Sequence, residues 1–165
     1  MSNPDRVIIP LRILLVLLFA GFVVAEFLSV PGQFSHLAAE NPELGAWPRV
    51  LMTLGILLLV GFQIVIVCTW VLLGKVRSDR IFSAESFVWV DVIVWTMTVG
   101  WLLLAGVAAS LTAYLYFTPE LRDPGMPILL FGLVLTGGVV VLTVVVMRAL
   151  LRQAASLRSE LEEVI

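Results

Sequence analysis

Between positions 50 and 73 the chain carries no charged side chain. As a helix rising about 1.5 Å per residue, a run of that length exceeds the roughly 30 Å hydrocarbon core of a bilayer. Lipid offers main-chain N–H and C=O groups no partners, so an apolar segment of this kind crosses as a helix. Three further apolar segments accompany it. The predicted spans are about 9–30, 49–73, 84–117 and 127–147. The expected fold class is all-α: a polytopic membrane protein with four transmembrane helices. Composition agrees, since 61% of residues are hydrophobic and only 13% charged, against about 25% charged in a soluble domain.

Local signals set the boundaries. Pro10 suits the first turn of span one, and Pro31-Gly32 is expected to stop it. Residues 31–48 read as a loop with at most a short helix around 35–39. Pro48 opens span two, and Gly74 with Lys75 is expected to close it. A charged joint, 74–87, leads into span three. Residues 118–127 form a turn with three prolines. Span four runs without a breaker into a polar tail, which divides the chain into a transmembrane domain 1–147 and an amphipathic helical tail 148–165. Arg6 and Arg12 ahead of apolar residues 13–25 imitate a signal peptide. Val24-Ala25-Glu26 is a poor cleavage site, so the segment is read as a retained span.

Lys and Arg orient the chain. With the N-terminus inside, Arg6, Arg12, Lys75, Arg77, Arg80, Arg148, Arg152 and Arg158 lie inside, against Arg49 and Arg122 outside. This bias places both termini in the cytoplasm, with the C-terminal helix extending there. Trp47, Tyr114, Tyr116 and Phe117 fall at the outer boundary as an aromatic belt. Spans two and four align with Gly55 on Gly132, Gly61 on Gly138 and Lys75 on Arg152, which is weak support for a duplication.

Ionisable groups within a membrane are costly and are functional suspects. Glu26 and Asp91 are the two, and Gln63 is a third polar group near the middle of span two. A carboxyl in hydrocarbon can carry a proton or bind a cation. Small four-span multidrug exporters use a first-span glutamate in this way, but those chains are much shorter and lack this outer loop. With span one ending near residue 30, Glu26 is shallow. That favours a structural reading, in which it reaches the outer interface or pairs with Arg49. For Asp91 the favoured reading is an ion pair with Arg12, Lys75 or Arg77. Gln63 is expected to hydrogen-bond across helices.

Other residues give weaker signals. Cys68 is the single cysteine, which excludes an internal disulfide and a Cys-based metal cluster. His36, also single, would need Glu40 and Glu43 to hold a metal. No cofactor is expected. Trp95 and Trp101 could line a lipid or quinone groove or simply pack. Gly21-x-x-x-Ala25 and Gly106-x-x-x-Ser110 permit close helix approach. No nucleophile–base set, phosphate loop or metalloprotease motif is visible, so the chain is not expected to be an enzyme. Dispersed basic residues and a net charge of −2 give no footprint for nucleic acid. In the tail, Leu150, Ala154, Leu157, Leu161 and Val164 form one apolar stripe, a candidate contact surface for a partner or a second copy.

The joint Leu73-Gly-Lys-Val-Arg-Ser-Asp-Arg-Ile-Phe-Ser-Ala-Glu-Ser86 resembles the hallmark segment of a family of small four-span bacterial proteins called YoaS-like. The layout covers nearly the whole chain; the motif is Ile81-Phe82-Ser83-Ala84-Glu85-Ser86. The resemblance implies a bacterial plasma-membrane protein of unknown function, and a small cytoplasmic helix-turn-helix regulator as a partner. It carries over no catalytic residues. Physically, Ser83 is a good N-cap, Phe82 and Phe87 can form a hydrophobic staple, and Glu85 suits the helix dipole. Arg80, Phe82, Ser83 and Glu85 are therefore a candidate contact motif and, equally, a strong helix start. The leading expectation is a non-enzymatic membrane protein acting through protein contacts in the lipid bilayer, as a regulatory or accessory subunit. The alternatives are a transporter or binder of a small hydrophobic or cationic ligand using Glu26, and a lipid- or quinone-active enzyme.

Overall fold

The computed structural model describes residues 5–77, 84–118 and 125–163. They form α1 (Asp5–Val24), a π-helical turn (Ala25–Ser29), α2 (Val30–Glu40), a 3-10 turn (Pro42–Leu44), α3 (Trp47–Arg77), α4 (Ala84–Phe117) and α5 (Gly125–Glu163). Four helical stretches are long and apolar enough to cross a membrane: Ile8–Glu40, Trp47–Lys75, Ser86–Phe117 and Gly125–Leu157. Both α4 and α5 match expectation, including the unbroken passage of α5 into the tail.

Pro31-Gly32 does not end span one. Helical structure continues through it to Glu40. A proline inside a helix lacks an N–H and crowds the carbonyl one turn earlier. The turn just before Pro31 widens instead, with Val30 N–H donating to Ala25 O, five residues back. This π-helical turn makes room for the ring. Gly74 does not end span two either, because α3 runs on to Arg77. No proline follows Gly74, and a Cβ there would sit 3.9 Å from the Arg12 guanidinium. Between α2 and α3 the chain reverses through Gly45, whose φ of 56° lies in the left-handed region that glycine tolerates.

Each helix packs mainly on its neighbours in sequence. α1 and α2 lie against α3, α3 against α4, and α4 against α5. Lipid gives apolar side chains no reason to leave it, so close approach supplies the cohesion. The Cβ position of Gly55 faces Val30 Cγ1 at 3.6 Å, that of Gly61 faces Thr96 at 3.5 Å, and that of Gly100 faces Leu58 at 3.4 Å. At the α4–α5 seam, Trp101 Nε1 donates to Val134 O at 2.8 Å, and its ring covers Gly137 and Gly138. Trp101 therefore packs, whereas Trp95 is exposed. Nothing lies within 4 Å of a Cβ at Gly21 or Gly106, so the expected close approaches there are not made. Gly132 likewise faces nothing within 4 Å and is no structural counterpart of Gly55.

The ends of the array differ. One end, here the basic end, carries Arg12, Lys75, Arg148 and Arg152. At the opposite end the Trp47 and Tyr114 rings pack with centroids 5.5 Å apart, and Tyr114 Oη donates to Glu43 O at 3.2 Å. Tyr116 and Phe117 beside them are exposed, as a belt at a membrane boundary should be.

Candidate functional site

Glu26 lies within the π-helical turn, and Gln63 lies opposite on α3. Gln63 Nε2 donates to Glu26 Oε2 at 3.2 Å. Two of the three polar residues singled out in the sequence thus form one pair. The pair is not shallow. Ile8–Glu40 is one continuous stretch, and Glu26 lies about 3 Å from its midpoint along the axis. Gln63 lies about 2 Å from the centre of the charge-free run 50–73 on the same reckoning. Two helices therefore place the pair independently near the middle of the apolar layer. The expectation of a shallow Glu26 reaching the interface or pairing with Arg49 is overturned, because Pro31 does not end the helix.

The π-helical turn exposes a second acceptor here. Val30 N–H goes to Ala25 O, and position 31 is a proline with no N–H to give. The main-chain carbonyl of Glu26 is left with neither its usual donor nor the next one along. A carboxylate oxygen and a carbonyl oxygen of the same residue are thus both rich in lone pairs at mid-depth. Such oxygens suit a proton, a cation or a hydrogen-bond donor.

Asp91 forms a separate cluster. Arg148 Nε donates to Asp91 Oδ1 at 2.6 Å, and Arg152 reaches Oδ2 at 2.9 Å. The expected ion pair exists, but its basic partners are Arg148 and Arg152 on α5, not Arg12 or Lys75; the Arg77 side chain lies outside the described residues. Asp91 and Trp101 face α5, while Thr96 and Gly100 face α3. α4 is held on two sides. Asp91 sits about 8 Å in from Ser86, so the cluster lies in the basic half of the array. Two guanidiniums on one carboxylate make it a bolt between helices with one positive charge in excess.

Arg12 stands over the Trp70 ring, its Cζ 5.1 Å from the centroid. This cation–π contact between α1 and α3 was not singled out in the sequence. Its signal was an arginine and a tryptophan both near the inner ends of adjacent spans. Phe22 and Phe62 join the same helices nearer mid-depth, with centroids 5.9 Å apart.

The remaining candidates stay apart. Leu150 and Leu157 on α5 are exposed. Arg80, Phe82 and Ser83 lie outside the described residues, as do the side chains of Glu85 and Leu161. α4 begins at Ala84, where a cap at Ser83 would place it. His36 is exposed on α2, and no group of three metal-ligating side chains gathers among the described residues.

Four apolar helices with two polar clusters between them define a multi-pass helical membrane protein. The chain belongs to the DUF2975 family, proteins of unknown function, whose family model matches residues 32–165. Gln63, Asp91, Arg148 and Arg152 fall within the matched stretch, and Arg12 and Glu26 precede it. No curated protein and no solved structure matches the chain.

Proposed function

We propose that this protein is a non-enzymatic, multi-pass protein of a bacterial plasma membrane, acting through protein contacts at its basic, cytoplasmic end as a regulatory or accessory subunit. The distribution of Lys and Arg supports that orientation. The reading is carried by the far part of α5. This helix spans 39 residues, about 58 Å, whereas a bilayer with its headgroups is about 40–45 Å thick. The excess projects at one end. Leu150, Ala154 and Leu157 lie about 190° around the helix from Arg148 and Arg152, at 100° per residue. The arginines bolt α5 to α4, which turns the apolar stripe away from the protein's own helices. Leu150 and Leu157 are 58% and 56% exposed. A cytoplasmic helix, such as one from a small helix-turn-helix regulator, fits a stripe of this spacing.

Site-specific photo-crosslinking in the native membrane tests this. A photoreactive residue at Leu150 or Leu157 should give one discrete protein adduct, and Leu157→Glu should abolish the adduct formed from position 150 without lowering expression. Adducts with lipid only, or an adduct that Leu157→Glu leaves unchanged, would sink the proposal.

A further inference from the structure

We infer that the groove between α1, α3 and α4 binds a small lipophilic organic monocation, with Glu26 as its counter-ion. The groove is open along one side, has a volume of about 330 Å³ and is lined by Phe19 from α1, Val60, Gln63 and Val67 from α3, and Trp89 and Val92 from α4. That volume is within the roughly 300–1,000 Å³ of small-molecule sites. Its walls are aliphatic and aromatic. Gln63 brings polarity to the lining and at the same time donates to Glu26, so an occupant touching Gln63 is next to the carboxyl group.

Charge selects the occupant. Glu26 makes no ion pair among the described residues. Along the helices that hold the pair, Arg12 lies about 21 Å from Glu26, and Lys75 and Arg49 lie about 18 and 21 Å from Gln63. Across α4, Asp91 is turned to α5 and its arginines. No cation among the described residues is therefore placed to neutralise Glu26, and a bare carboxylate in hydrocarbon is costly. A proton relieves that cost, and so does an organic cation. One carboxylate balances one positive charge. The cation's apolar body takes the groove, where the faces of Phe19 and Trp89 also attract positive charge.

Equilibrium dialysis of labelled tetraphenylphosphonium against the full chain in dodecyl maltoside micelles tests the site. Saturable binding is expected. Glu26→Gln should weaken it at least about tenfold, while Asp91→Asn leaves it unchanged. A second readout locates the cation. With Cys68→Ala removing the native thiol, Val67→Cys on the groove wall should react with N-ethylmaleimide and be protected by tetraphenylphosphonium. Non-saturable uptake by the wild type, equal affinity in a monodisperse Glu26→Gln protein, or failure to protect position 67 would each overturn the inference.

Discussion

Gly137 is the described glycine at which an added Cβ would come nearest to a neighbouring helix, and replacing it with alanine puts a number on the α4–α5 seam. A Cβ there would lie 2.9 Å from Trp101 Cδ1 and 3.6 Å from Nε1. Ordinary contact needs the ring to retreat by about half an ångström or more, because overlap at that distance is steeply repulsive. Trp101 has little freedom to do so. Its Nε1 is committed to Val134 O at 2.8 Å, and its ring atoms lie only 3.3–3.4 Å from where a Cβ on Gly138 would sit. Overpacking costs about 1–3 kcal/mol, and a weakened interhelical hydrogen bond in a membrane adds about 0.6 kcal/mol. Alanine also favours helix over glycine by up to about 1 kcal/mol. Gly132→Ala controls for that gain, since nothing lies within 4 Å of its Cβ. The propensity term cancels between the two variants, which leaves Gly137→Ala less stable by about 2–3 kcal/mol. Reversible unfolding in mixed dodecyl maltoside and dodecyl sulfate micelles, followed by far-ultraviolet circular dichroism, measures the difference. Trp101→Phe should shrink the cost of Gly137→Ala, because the smaller ring frees the space. Equal stability of Gly137→Ala and Gly132→Ala would refute this account of the seam.

The other predictions concern the polar clusters. Asp91→Asn removes the charge shared by Arg148 and Arg152 and should cost about 1–2 kcal/mol in the same assay, a modest figure because the group is only partly buried. Within that cluster Arg148→Gln should cost more than Arg152→Gln, since Arg148 is 26% exposed and Arg152 53%; the reverse order would contradict the assignment. Pro31→Ala restores an N–H at position 31 and favours a regular α-helix through Ala25–Ser29, which removes the offset that turns Glu26 to Gln63. With Cys68→Ala removing the native thiol, cysteines at positions 26 and 63 should be bridged efficiently by a short bis-maleimide with Pro31 and poorly with Pro31→Ala; equal yields would refute that role for the π-helical turn.

The four spans were legible because apolar length is a strong, one-dimensional signal. α4 starts at Ala84, where span three was expected to start, and α5 starts at Gly125, two residues ahead of the expected Pro127. Pro31 and Gly74 misled, because a breaker's local preference is decided by context. At Pro31 the chain absorbs the ring by widening one turn, and at Gly74 the helix simply continues to Arg77. The depth of Glu26 depended entirely on that first outcome. The polar residues singled out in the sequence do meet other helices, but the partners of Asp91 were not legible: which face of α4 meets α5 is a matter of helix rotation, and a nearly uniform apolar sequence does not encode it. Trp101 illustrates the same limit, since its seat depends on two glycines 36 and 37 positions later.

Packing between consecutive helices has a consequence for biogenesis. Each main interface, α1 and α2 on α3, α3 on α4 and α4 on α5, becomes available as soon as the next segment is synthesised. No principal contact waits for the last helix to return to the first. The entropic cost of closing long loops is correspondingly small. Insertion can proceed as a succession of completed hairpins, in which the Glu26–Gln63 pair forms before α4 enters the bilayer and the Asp91 bolt closes last.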